Sequence, residues 1–144
     1  MFLKKITLFA CLAILTMAFS SSLLAQEIDL DSVTDEQMSK EAPLTQADID
    51  LYIKFSEYSQ EMFKKLETDP QLDIKQALVN FVKANNLTPV RMKFITLKIP
   101  YIILIVTNKM PENPELSHLK PTESEKTIVQ DNMTKILATI QKGL

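Results

Sequence analysis

Few side chains in this sequence are suited to acid–base or metal chemistry. His118 is the only histidine, and it lies in a proline-rich stretch three residues after Glu115. A zinc-type site needs further nitrogen or sulfur ligands, and the only cysteine, Cys11, falls in the apolar N-terminal stretch. We therefore predict no catalytic residue, no metal site and no cofactor, and we expect His118 to be a solvated side chain.

Pairs of carboxylates are the other possible source of catalysis. Glu57 and Glu61 are spaced by one helical turn, but neighbouring lysines favour a solvated charged face. Asp48 and Asp50 fall in the first turn of a predicted helix, where the helix dipole already favours acids. A hydrolase that uses carboxylates alone is therefore the third of our functional hypotheses, because it needs two acids facing one cleft.

Arg91 and Lys98 form the one pair of charged residues that suggests a binding site. They are seven residues apart on a predicted helix and so share a face, with Lys93 on a different one, and Lys98 lies within an apolar run. A cation in such a run either extends to the surface or meets a carboxylate. We predict a partner or anion contact at Arg91 and Lys98, with a surface edge of a core helix as the simpler alternative.

Glycine is nearly absent, with Gly143 as the only one. Phosphate-binding loops and dinucleotide turns need glycine for close backbone approach, so nucleotide sites of those types are excluded. Tight hairpins also favour glycine, so its absence favours an all-α fold. No basic stripe with interleaved aromatic residues indicates binding to nucleic acid.

The N-terminus has the pattern of a secretory signal peptide. Lys4 and Lys5 precede an uncharged apolar stretch that is too short for a membrane span, and small residues follow it. We predict a cleaved signal over residues 1–25, with cleavage after Ala25 or, as a second choice, after Ser20. The periplasm is the expected destination and the extracellular space the alternative, and the exported chain would contain no cysteine.

Residues 26–43 are acidic and weakly periodic, so we predict a flexible linker there and one helical domain over 44–144. Thr45 with Asp48 and Thr122 with Glu125 have the spacing of capping boxes. Thr88 before a proline predicts another helix start, and the sequence "ANNL" at 84–87 predicts a helix stop, because asparagine tolerates the left-handed conformation. With Gly143 as the final stop, apolar spacing and caps predict a bundle of about four helices, near 45–67, 72–84, 89–108 and 122–142.

The sequence from 94 to 106, "FITLKIPYIILIV", is rich in β-branched residues, which makes a strand the rival to a helix. Val90, Phe94, Leu97, Tyr101 and Leu104 step by four and three through the proline, and no second strand is evident to pair with it. We therefore predict that the third helix is central to the bundle and kinked at Pro100.

These features favour a non-catalytic module that binds an unknown protein partner, such as an adaptor, inhibitor or chaperone-like factor. A membrane- or lipid-associated protein with an apolar groove along the third helix is the alternative, since basic residues lie beside that helix.

Overall fold

The computed structural model describes residues 29–143, and this part of the chain is all-helical, without a strand. The predicted signal peptide, residues 1–25, lies outside the described residues. The described elements are α1 (Asp35–Ser39), α2 (Gln46–Thr68), α3 (Ile74–Ala84), α4 (Pro89–Val106), a 3₁₀ helix (Pro114–Leu119), α5 (Glu123–Asp131) and α6 (Met133–Gln141).

The predicted helix starts are confirmed where a capping residue defines them. Thr45 and Thr122 each form a capping box, with Asp48 and Glu125 respectively, and Thr88 accepts a hydrogen bond from the Arg91 N–H. These hydrogen bonds satisfy backbone donors that the first helical turn cannot pair internally.

The stop after α3 is also confirmed. Asn86 takes a positive φ of 52°, and the Leu87 N–H donates back to the Val82 carbonyl. Asparagine tolerates this left-handed conformation better than most residues, so it ends a helix without glycine.

Residues 94–106 are helical, so the strand alternative is wrong. They belong to α4, which ends at Val106 rather than at 108 because Asn108 has a positive φ of 54°. α4 contacts α1, α2, α5 and the 3₁₀ helix. The kink at Pro100 stays a prediction.

The expected number of about four helices differs from the structure, which has six α-helices and one 3₁₀ helix within residues 29–143. The predicted helix 122–142 is divided at Asn132, whose side chain donates to the Ile128 carbonyl and to the Gln46 side chain. Asparagine side chains compete with the helical hydrogen-bond pattern, which explains a break at this residue.

Residues 29–40, which we call the N-terminal strap, pack onto the domain in place of the expected flexible linker. Leu30, Val33 and Met38 are buried, and Met38 is only 1% exposed. The strap contains α1, which contacts both α4 and the 3₁₀ helix. Its three apolar side chains stand among acidic residues at irregular spacing, so composition alone suggested a linker.

The core consists of two apolar clusters. The larger one is centred on α4 residues such as Ile95, Ile99 and Ile102, and it also holds Val33 and Met38 of the strap. The smaller cluster joins the strap to α2, α3 and α4 and comprises Leu30, Phe55, Leu78, Phe81, Val82 and Met92. Across residues 29–143, no helix is both long enough and apolar enough to cross a membrane.

Candidate functional site: buried charges and the outer face of α4

Lys98 lies in a buried ion pair rather than at the surface. Its Nζ is 2.8 Å from Glu125 Oε1, and the two side chains are 6% and 0% exposed. The ammonium also lies 4.7 Å from the centroid of the Phe94 ring, which is a favourable cation–π distance. Lys98 therefore meets a carboxylate inside the fold.

Glu125 joins three parts of the chain. Its Oε1 accepts from the Leu44 N–H at 2.8 Å, and its Oε2 accepts from the Thr122 N–H at 2.7 Å. Burial alone would raise the pKa of this carboxyl, but the hydrogen bonds from Lys98, Thr122 and Leu44 and the charge of Lys98 together lower that pKa. Glu125 is thus held in its ionised form and is unsuited to act as a general acid.

Arg91 holds the chain that connects the strap to α2. Its guanidinium donates to the carbonyl oxygens of Ala42 at 2.6 Å and Pro43 at 3.2 Å, and it lies 3.3 Å from Glu41 Oε2. The same group binds both carboxylate oxygens of Asp48. This planar, forked donor suits several acceptors at once, which a lysine could not bridge.

Both predicted contact residues are therefore engaged within the fold. Arg91 and Lys98 lie on the same side of α4 and both contact the Phe94 ring, so the expectation that they share a face agrees with the geometry. An external anion would have to displace Asp48 or Glu125, which are both buried. The structure gives these two cations the role of joining α4 to residues 41–48 and α5.

The two buried carboxylates have every oxygen in use. Both oxygens of Glu125 accept hydrogen bonds, as described above. Asp48 Oδ1 accepts from Arg91, and Asp48 Oδ2 accepts from Arg91 and from the Thr45 N–H and hydroxyl. Among residues 29–143, no group of three or more histidine, cysteine or acidic side chains is arranged to hold a metal ion.

His118 lies under α1 rather than in solvent, which corrects the expectation of a solvated side chain. Its side chain is 11% exposed, and its Nε2 is 3.4 Å from Asp35 Oδ1. The burial follows from the 3₁₀ helix, which turns this residue toward the strap. Glu61, in contrast, pairs with Lys65 at the surface, as expected for a solvated face.

The sequence did not single out Glu125 beyond its capping role, although a signal was present. Ile128 and Val129 share its helical face, so Glu125 lies on the apolar side of α5. An acid on an apolar stripe, like Lys98 in an apolar run, indicates a buried partner of opposite charge. Which acid meets which base depends on the tertiary fold.

An apolar surface lies on the side of α4 opposite to Arg91 and Lys98. Leu97, Pro100, Ile103 and Leu104 are partly exposed, and we call these four residues the outer strip. Their spacing places them on one helical face, away from the buried Ile99 and the rest of the inner side. Leu97 and Ile103 lie at its edges, where they also contact the core.

The outer strip is free of charge along α4, because no ionisable residue other than Tyr101, which is buried, occurs between Lys98 and Lys109. A surface helix of a globular domain normally carries polar residues on its outer face. This half of α4 instead has apolar residues on both faces.

Comparison of the chain with protein-family models, with curated proteins and with solved structures finds no match.

Proposed function

We propose that the protein is an exported, non-catalytic module that binds a partner protein through the outer strip of α4. The observation that carries this proposal is the uncharged, partly exposed face formed by Leu97, Pro100, Ile103 and Leu104. Export rests on the sequence of residues 1–25, which has the charge and length pattern of a signal peptide.

The spacing of the outer strip fits an apolar helix from the partner. Residues at i, i+3 and i+7 on one helix interlock with a similar row on another helix, and this is a common mode of recognition. Lys93 and Thr96 border the strip on its N-terminal side, and Thr107 borders it on the C-terminal side. An apolar centre with polar ends is the general anatomy of a specific interface.

The bend expected at Pro100 belongs to the same proposal. Proline has no N–H, so the Thr96 carbonyl loses its usual helical partner, and the axis bends at this point. Pro100 lies on the outer face, so we propose that the strip is convex and projects toward a partner. The buried side of α4 would then follow the curvature of the core.

The non-catalytic part of the proposal is supported by the buried charges. Glu125 and Asp48 are the buried acids among the described residues, and both are bound to cations and backbone donors. A carboxylate hydrolase would need one acid that is free to give a proton and a second that faces the substrate. The observed hydrogen bonds leave neither acid in that position.

A membrane surface is the second candidate partner for the outer strip. Lys93 and Lys109 stand near its two ends, and cations beside an apolar face favour docking on anionic lipid. Co-sedimentation of the exported chain with vesicles that contain anionic lipid separates the two candidates. If the chain binds the vesicles and this binding depends on Leu104, the partner of the outer strip is a lipid surface rather than a protein.

Partner capture with matched variants tests the proposal. The chain from residue 26 onward is immobilised and incubated with extract from the compartment to which it is exported. Leu104→Glu places a charge on the outer strip, and Gln130→Glu places the same charge on an exposed position of α5. We expect a protein that the wild type and Gln130→Glu retain and that Leu104→Glu loses by about 10-fold or more, because a buried unpaired charge opposes binding.

Leu104→Glu must remain folded for this comparison to be valid. Because Leu104 is partly exposed, its urea unfolding midpoint should stay close to that of Gln130→Glu. Equal capture by the two folded variants would show that the outer strip is not the binding surface.

A further inference from the structure

The strap covers an apolar surface that belongs to the two core clusters. Leu30 belongs to the small cluster with residues of α2, α3 and α4, which include Phe55 and Phe81. Val33 and Met38 enter the larger cluster. Three side chains at i, i+3 and i+8 therefore anchor a short segment whose other residues are exposed.

The backbone of the strap is bonded mainly to itself. Its turn and cap hydrogen bonds, such as Val33 N–H to the Leu30 carbonyl and Met38 N–H to the Thr34 carbonyl, stay within residues 29–41. Among the described residues, its polar contacts with the domain include Lys93 Nζ to the Val33 carbonyl at 2.9 Å and His118 to Asp35. The strap thus lies on the domain as a peptide ligand would, through anchors and a few polar contacts.

The chain is held much more firmly immediately after the strap. Arg91 binds the carbonyl oxygens of Ala42 and Pro43, and Glu125 accepts from the Leu44 N–H. These bonds fix the point from which the strap extends. Detachment of the strap would therefore break none of the hydrogen bonds that hold residues 42–44.

The strap is acidic, and a cation lies in the surface beneath it. The strap carries Asp29, Asp31, Asp35 and Glu36, with Lys40 as its one cation. Lys93 belongs to the surface beneath it and donates to the Val33 carbonyl of the strap, and His118 Nε2 lies 3.4 Å from Asp35 Oδ1. A five-residue helix such as α1 is too short to be stable alone, so it forms only when the segment docks.

We propose that the strap is a displaceable occupant of this surface, and that the surface binds an acidic segment of a partner chain. That segment would carry apolar side chains at the spacing of Leu30, Val33 and Met38. The strap competes with it at the high effective concentration of an attached ligand and so limits access. This surface adjoins the outer strip, because Lys93 borders both and Leu97 and Ile103 pack against the cluster that holds Val33 and Met38. The tests below change Leu30 and Asp31, which are not part of the outer strip, so the proposal stands or falls independently of the function proposed above.

Opening of the strap is measured first, on the chain from residue 26 onward, which contains no native cysteine. Leu30→Cys places a thiol under the strap, and Ile99→Cys places one in the core, where Ile99 is fully buried. We expect thiol labelling of Leu30→Cys under native conditions to be at least about 100-fold faster than that of Ile99→Cys, because only local opening is needed. Equal labelling rates would mean that the strap opens only when the whole domain unfolds, and would overturn the proposal.

Binding is measured next with a fluorescein-labelled peptide of residues 29–41. Leu30→Ser weakens the attached strap, whereas Asp31→Ser makes the same new residue at an exposed neighbouring position. We expect Leu30→Ser to bind the peptide at least about 10-fold more tightly than the wild type or Asp31→Ser does, by fluorescence anisotropy. A peptide with serine in place of both Leu30 and Val33 should lose this binding.

Two results would overturn the binding part. One is absence of peptide binding to Leu30→Ser, with the thiol of Leu30→Cys labelled rapidly, which would show an open surface that takes no segment. The other is a dimer of Leu30→Ser, detected by native mass spectrometry and unaffected by the peptide. That dimer would show that the surface is occupied by a second copy of this chain and not by an acidic segment of a partner.

Discussion

The two halves of α4 differ in how they use their side chains. The first half, residues 89–98, carries Arg91, Lys93 and Lys98, and each of these cations binds another part of the chain. The second half, residues 99–106, has no acidic or basic side chain. Its inner side packs into the core, and its outer side stays partly exposed.

This difference shows that the two halves of one apolar helix have different structural roles. In the first half, the cations lie where the strap, residues 41–48 and α5 cross the helix, and each cation binds one of these segments. The second half has no cation that binds another segment, and part of its apolar surface is not buried in the core. The first half thus fixes the fold, and the second half provides the surface that we propose binds a partner.

Among changes to the two halves of α4, removal of Lys98 should have the largest effect on the free energy of unfolding. Lys98→Met leaves Glu125 as a buried charge without its cation, and loss of one partner of such a pair costs about 3–5 kcal/mol of unfolding free energy. The double variant Lys98→Met/Glu125→Gln removes both charges but keeps an acceptor for only one of the Leu44 and Thr122 N–H groups, because glutamine has a single carbonyl oxygen. It should regain part of the loss, as measured by urea denaturation.

A loss below about 1 kcal/mol for Lys98→Met would place the pair among ordinary surface ion pairs. It would then no longer distinguish the two halves of α4. The double variant serves as the control for packing, because it contains the same methionine.

A smaller effect is expected from pH. The pKa of Glu125 is lowered in the folded state, so its ionised form stabilises the fold. This contribution is complete above the unfolded-state pKa and is lost as the pH falls through the folded-state pKa. The difference in unfolding free energy between the wild type and Glu125→Gln should therefore shrink on acidification from about pH 7 to about pH 3.

The difference between the two proteins, rather than the wild-type curve, isolates Glu125, because the other carboxylates titrate in both. A difference that stays constant over this range would show that the folded and unfolded pKa values of Glu125 are equal.

The sequence was most informative where hydrogen bonds are local. Thr45, Thr88 and Thr122 marked helix starts because each cap is completed within three residues. The helical state of 94–106 followed from spacing that continued through Pro100, although the β-branched composition favoured a strand. In both cases the decisive interactions lie within a few turns of chain.

The strap and the pairing of Lys98 could not be predicted in the same way. Leu30, Val33 and Met38 have no regular period, and their burial depends on surfaces formed by distant helices. Lys98 pairs with an acid 27 residues further along the chain, in a different helix. Sequence could indicate that Lys98 needed a partner, but only the tertiary fold selects Glu125.

Photo-crosslinking from the two halves of α4 in the same cells tests the comparison in one measurement. A photoreactive amino acid is placed at position 93 or at position 104 of the full chain, and the products are separated by mass. Lys93 contacts the strap, so position 93 should give an intramolecular crosslink to residues 29–40. Position 104 should give a crosslink to a second protein. Intramolecular products alone from position 104 would show that this face is covered by the chain itself and would contradict a partner surface there.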